Sequence, residues 1–441
     1  MNPISAEKAK TYGILTVVSA WLAVFCLFGY RSSFSVMQKA IIADTGWSSV
    51  QVSMGYVIMM SVYAITAFFS GSLVDKKGPR PTYFMGAIAC FLGFFLTSNL
   101  DITSKSSFYT YLFTYGLFAG IGTGMLWVSS TVSCRKWYVG ARYGTMWGLA
   151  FMGAPMAQLL LTLVLKPILI SMGWQAGMKV LSIIMAVFLL VAALLARQSP
   201  ADYGVEAFGA DALRAKGPAP AKKVWQVNEA FGTWVQWGTI FAFLTSMLGE
   251  FLVWSQLVAY FLSDRGMDLA TASNIYIIIG FAGIFAMPLT GKLSDNLVKK
   301  FGNERKARKT MLMLGPSCAA VAVLLLFTKN MPLTIVSMVL LAIYWGIEPG
   351  GCAGYSASFF GGPTFGKIWG LSTLLIMGTG PAIGTFMGAW FKDTFGTYTP
   401  ALIFCIGAFV VSALVASTLP LTLKSEQVAA VTAEPAVAAQ K

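Results

Sequence analysis

Three charged side chains stand where charge is costly. Glu250 and Glu348 are the only carboxylates within long apolar runs, and Arg31 is the basic residue placed to be deep in one. A charge held in hydrocarbon is expensive and usually functional. A guanidinium offers a planar fork that matches a carboxylate, sulfonate or phosphate. A carboxylate opposite such a fork can pair with it in an empty site and take up a proton when an anion arrives. That device needs no histidine, and the chain has none. The absence also excludes His-based acid–base catalysis and His-ligated metals. The competing reading of Arg31 is snorkelling, since it lies about 18 residues from Gly13, roughly 27 Å at helical rise. For the two acids, the alternative is a hydrogen-bonded group bracing helix packing.

The elements that carry these residues are long and apolar. The 441 residues are 57% hydrophobic and 11% charged, too few charges for a soluble domain of this size. Twelve apolar runs, from Gly13–Met37 to Pro400–Leu421, predict an all-α membrane protein of twelve transmembrane helices. The fifth and sixth are Tyr143–Ile170 and Trp174–Ala196, and the seventh is Trp237–Leu262. Arg31 falls on helix one, Glu250 on helix seven and Glu348 on helix ten. The net charge of +14 does not point to nucleic acid. Alternate loops hold basic clusters: Lys76, Lys77 and Arg80; Arg135, Lys136 and Arg142; and a run from Lys299 to Lys309. The intervening loops hold scattered single charges such as Lys39, Lys105 and Arg265. This asymmetry predicts both termini in the cytoplasm. The first run reads as a signal anchor without a cleavage site. The six cysteines fall in or beside apolar runs without C-x-x-C spacing, as small core residues do. No Walker loop is present, so ATP-driven transport is unsupported.

An internal repeat organises the chain. Gly71-Ser-Leu-Val-Asp75-Lys-Lys-Gly78-Pro-Arg80 returns more weakly as Gly291-Lys-Leu-Ser-Asp295, an offset of 295 − 75 = 220. Tyr143-Gly-Thr-Met-Trp-Gly-Leu149 returns as Phe365-Gly-Lys-Ile-Trp-Gly-Leu371, with 370 − 148 = 222. Two unrelated motifs at nearly one spacing imply a duplicated six-helix unit. The expected division is an N-terminal bundle over 1–197, a cytoplasmic linker over 198–236, a C-terminal bundle over 237–423 and a disordered tail over 424–441. Asp75 and Asp295, with Arg80, are candidate gating residues, because a carboxylate at a helix N-terminus can hold two halves together. Tyr56 and Tyr276 share the 220-residue offset, and Glu250 maps onto Tyr30, beside Arg31.

The Gly71–Arg80 segment resembles the cytoplasmic loop signature of the major facilitator superfamily, and the resemblance extends from about Ile14 to Leu421. It implies a cavity between two pseudo-symmetric bundles, lined by helices one, four, seven and ten, which places Arg31, Glu250 and Glu348 around one site. Gly29-Tyr30-Arg31-Ser-Ser-Phe34 and Asp44-Thr-Gly46-Trp-Ser48 are similar to organic-anion and organophosphate porters with an anion-holding arginine on helix one. Arg135-Lys-Trp-Tyr138 resembles the monocarboxylate and oxalate/formate exchange branch. The cations of that branch are absent here: they fall on Met287 and Ile376. Its cavity tyrosine falls on Trp127.

The expected function is secondary active transport of a small organic anion, a monocarboxylate or sulfonate, across a bacterial inner membrane. Proton symport is the first reading and anion exchange the alternative. Arg31, Tyr30, Tyr56, Trp127 and Tyr276 are the expected binding residues, and Glu250 and Glu348 the expected proton-coupling residues. The partners are the anion, a proton and membrane lipid. No enzyme activity, cofactor, metal or nucleic acid is expected, and the chain is expected to be a monomer. Drug efflux is disfavoured because Gly153-Ala-Pro155-Met-Ala-Gln158 lacks the G-P-x-x-G-G pattern of that branch.

Overall fold

In lipid, a helix satisfies its backbone hydrogen bonds within itself, and this chain is helical nearly throughout. The computed structural model describes residues 4–211 and 224–423, without the side chains of Ser32, Ser35, Val36, Ser49 and Leu269. Residues 212–223 of the expected linker and the expected tail from residue 424 lie outside the described residues. Among the described residues, eleven helical stretches are long and apolar enough to cross a membrane. One of them, Gly140–Leu195, has 56 residues and is interrupted at Gly173, where φ is 80° and ψ is 177°. Glycine alone adopts such a φ without strain. The helices overrun the apolar runs. The first is Ala6–Thr45, the seventh-run helix is Trp234–Ser263 and the tenth-run helix is Met331–Phe360. The last passes unbroken through Pro349-Gly350-Gly351, a triplet that composition alone marks as a weak point.

Side-chain contacts sort the helix ends into two faces. Trp174, just past the Gly173 break, donates to Asp44 at 2.7 Å, and Gln175 donates to the Leu100 carbonyl at 2.8 Å. The far end of the same stretch receives Arg80, which donates to the carbonyls of Ala193 and Ala196 at 3.2 and 3.4 Å. Gly173 and Leu195 therefore lie at opposite faces. The face with Arg80 also holds the first and last described segments. Ile4 donates to the Tyr203 carbonyl, and Arg305 and Lys309 donate to the carbonyls of Leu421 and Leu419. We call it the basic end. Residues 198–211 pack there against the fourth helical stretch, with Phe208 donating to the Trp137 carbonyl at 2.8 Å.

The duplication is visible in local geometry. Gly46 and Gly266 both terminate the preceding turn with positive φ, 67° and 63°. Ser48 and Asp268 both cap the next helix. Each pair is 220 residues apart, 266 − 46 and 268 − 48. A short polar side chain at the N-cap satisfies otherwise orphaned backbone N–H groups, so the two halves start the same helix by the same chemistry. The glycines of the fourth stretch serve packing, as close helix contact in membranes requires. A Cβ on Gly116 or Gly120 would come within 2.8 Å of Ile58 or Val62 on the second helix. The outer surface is apolar, with Leu163, Ile170, Leu289 and Leu414 strongly exposed.

Candidate functional site

Arg31 is half-buried on the first helix. Its guanidinium carbon lies 4.9 Å from the Phe28 ring centre, 5.2 Å from that of Tyr63 and 5.9 Å from that of Tyr30. Its Nε donates to the Tyr30 hydroxyl at 3.3 Å, and that hydroxyl donates to the Met60 sulfur at 3.3 Å. Ring faces attract a cation, and these three orient the arginine. Phe28 reaches across to the other half, meeting Trp345 edge to face at 5.7 Å. Tyr56 stacks on Phe34 at 4.7 Å and stands 6.5 Å from Tyr30. Tyr276 donates to the Trp254 carbonyl at 3.4 Å. Trp127 is buried deeper, packed on Trp147 and Phe151.

The two membrane carboxylates have different surroundings. Glu250 is buried and accepts from the Tyr344 hydroxyl at 2.9 Å, which is also 2.5 Å from the Ser246 hydroxyl. Glu348 is wholly buried inside the C-terminal half: Cys352 donates to it at 3.7 Å, and a Cβ on Gly315 would sit 3.3 Å from its other oxygen. Both carboxylates therefore take their hydrogen bonds from side chains of their own half.

At the basic end the halves are joined by reciprocal contacts built from the repeated motifs. Asp75, ending the second helix, accepts from the backbone N–H groups of Gly366 and Lys367 at 3.0 and 2.9 Å. Asp295 accepts from Gly144 and Thr145 at 2.8 and 2.7 Å, and from the Thr145 hydroxyl at 2.7 Å. Each aspartate thus caps the first turn of a helix in the opposite half, where unpaired N–H groups and the helix dipole favour negative charge. Glycines permit the approach. A Cβ on Gly71 would strike the Gly366 carbonyl, and one on Gly291 would strike the Gly144 carbonyl.

Charged partners missed in the sequence reinforce this seam. Arg135 makes a bidentate pair with Glu304, at 2.5 and 3.1 Å. Arg308 reaches Asp295 at 3.3 Å and the Gly140 carbonyl at 2.8 Å. Lys136 pairs with Asp75 at 3.1 Å. Arg80, grouped with the gate from sequence, instead braces a helix end of its own half. Glu304 is the lone acid within the basic run Lys299–Lys309, and that isolation was the available signal.

Reciprocal contacts between the duplicated motifs, together with a half-buried arginine, invite comparison with known carriers. The family profile described as Major Facilitator Superfamily matches residues 20–361. The chain belongs to the major facilitator superfamily. It is a multi-pass membrane protein of that family, which is not one of enzymes. It is 24% identical over 437 residues to the probable galactarate/D-glucarate transporter GudP of Escherichia coli (strain K12), covering 91% of each chain. It is 24% identical to the probable sulfoacetate transporter SauU of Cupriavidus necator, over 67% of this chain and 69% of that one. A match to the riboflavin transporter RibJ of Trypanosoma brucei brucei is 26% identical, but spans only 42% of this chain and 34% of that relative. In fold, the chain is similar to the proton:xylose symporter XylE, with a TM-score of 0.71 at 13% identity, covering 95% of this chain and 97% of that one. The outward conformation of FucP gives 0.65 at 15% identity, over 93% and 100%.

Proposed function

We propose that this chain is a proton-coupled carrier of a small organic anion, a monocarboxylate or monosulfonate, in a bacterial inner membrane. The observation that carries the reading is the half-buried Arg31, held by the ring faces of Phe28 and Tyr63, with Phe28 in turn meeting Trp345 of the C-terminal half. An incoming anion occupies the guanidinium and weakens its hold on the Glu250 charge. Proton uptake at Glu250 then accompanies anion binding, because a buried carboxylate deprived of its counter-charge is costly. Tyr30, Tyr56 and Tyr276 line the site, Trp127 backs it, and Glu348 is a reserve proton acceptor behind it. Relatives described as carriers of sugar acids and of sulfoacetate are consistent with anionic cargo.

In this reading the Gly173 break turns the Gly140–Leu195 stretch back through the membrane. Twelve passes then form two six-helix bundles, 1–197 and 237–423, joined through 198–236. The basic end faces the cytoplasm, in keeping with its clustered Lys and Arg. Asp75 and Asp295 close that end in this conformation, and alternating access requires their release. Anion exchange is the second reading, favoured if a counter-anion rather than a pH gradient drives uptake.

The test is anion binding to purified protein, measured as thermal stabilisation across a panel of organic acids. Wild type is expected to be stabilised by at least one monoanion and Arg31→Gln by none, with both variants equally folded. Full stabilisation of the Gln variant would remove Arg31 from the site.

A further inference from the structure

We infer that the anion carried at Arg31 has a flat apolar body, an aromatic or similarly planar monocarboxylate or monosulfonate. The inference rests on the anion-carrier reading above and adds a specificity to it. Phe28, against the guanidinium, is a half-exposed ring, as are Tyr56, Trp254 and Tyr276. They continue away from the guanidinium as a connected wall. Phe28 meets Trp345 at 5.7 Å, and Trp345 meets Trp254 at 5.7 Å, with interplanar angles of 64° and 63°. Phe151 joins Trp345 from behind at 5.9 Å and 78°. Trp345 thus meets all three neighbours edge to face, unlike the parallel pair Phe34 and Tyr56. A flat guest offers this wall the offset stacking that aromatic groups favour.

Three of the nearby hydroxyls already donate within the protein, while the buried Tyr63 hydroxyl and Trp127 Nε1 have no hydrogen-bond partner among the described residues. Tyr276 donates to the Trp254 carbonyl, Tyr30 to the Met60 sulfur and Tyr344 to Glu250. A polyhydroxylated acid would present its hydroxyls to rings and lose their hydrogen bonds to water. Met287 and Ile376, where related exchangers carry cations by the resemblance drawn from sequence, are buried and uncharged. One guanidinium therefore serves one anionic group, and the ring wall serves the rest of the molecule.

Calorimetric titration of the purified full-length protein at pH 7 with benzoate, acetate and D-glucarate tests this. Benzoate is expected to bind about tenfold or more tighter than acetate, the gain of one to two ring contacts, and D-glucarate more weakly than either. Trp254→Leu is expected to lower the benzoate-to-acetate ratio about threefold or more by removing one ring contact. Should that variant fail to fold, the wild-type ratio alone decides. If acetate or D-glucarate binds as tightly as benzoate while Arg31→Gln abolishes all binding, the planar body is wrong and the anion site stands. If none of the three binds, or Arg31→Gln binds them as wild type does, both are overturned.

Discussion

Replacing Asp295 with Asn should unlock the basic end, and more effectively than the same change at Asp75. One Asp295 oxygen receives the Gly144 N–H and Arg308, and the other receives the Thr145 N–H and hydroxyl. Asn keeps one acceptor and turns the other into a donor facing donors. At least one charge-assisted bond is lost, about 1.5–3 kcal/mol. The loss of negative charge at the helix start adds roughly 0.3–2 kcal/mol. A combined loss of about 3 kcal/mol moves the equilibrium roughly 150-fold toward the state open at this end. Asp75 accepts two backbone bonds and the partly exposed Lys136, so its Asn variant should shift the equilibrium only about tenfold. Hydrogen–deuterium exchange over peptides 140–147 and 363–370 reads the two locks separately. Faster exchange over 140–147 in Asp295→Asn is expected. Unchanged exchange there, or a larger shift from Asp75→Asn, would refute the reasoning.

Gly291→Ala drives a methyl group into the Gly144 carbonyl. It should disfavour the closed basic end by about 1–3 kcal/mol, seen as faster exchange over 140–147 with the fold retained. Glu304→Gln strands the buried Arg135 and should cost about 3–5 kcal/mol of this conformation. The Arg135→Gln, Glu304→Gln double variant should cost less than the sum of the singles, as a double-mutant cycle on thermal unfolding would show. Arg31→Lys should bind anion more weakly than wild type and better than Arg31→Gln, because it keeps the charge and loses the fork. Titration of the three proteins checks that order.

The repeat was the part of the sequence that spoke most directly to structure. The 220-residue offset tied Asp75 to Asp295, and the 222-residue offset tied Tyr143 to Phe365. Neither offset showed that the two motifs meet, each aspartate capping the opposite half's helix. That contact depends on how the halves pack, which periodicity does not encode. The weaker second motif, shorn of its Gly-Pro-Arg ending, holds the more heavily bonded aspartate. Burial was legible for Glu250 and Glu348, because charge in an apolar run is rare. The partners each takes were not, since helical position alone does not say which face a residue takes. Arg135 and Glu304 escaped notice because each sits in a basic cluster that topology already explained. Gly173 also passed unremarked: it lies between the fifth and sixth apolar runs, but a positive φ leaves no mark in composition.

The central claim is that anion transport is coupled to protons through Glu250. It is tested by accumulation in proteoliposomes under an imposed pH gradient, with a permanently charged sulfonate such as benzenesulfonate, which does not leak across as a neutral acid. Protons and anion are expected to move together, so an acidic exterior should drive wild-type uptake above the equilibrium level. Glu250→Gln mimics the protonated acid and should exchange internal for external anion while failing to accumulate it. Wild-type uptake that ignores the gradient but requires an internal counter-anion would contradict the account, as would a Gln variant that accumulates as wild type does.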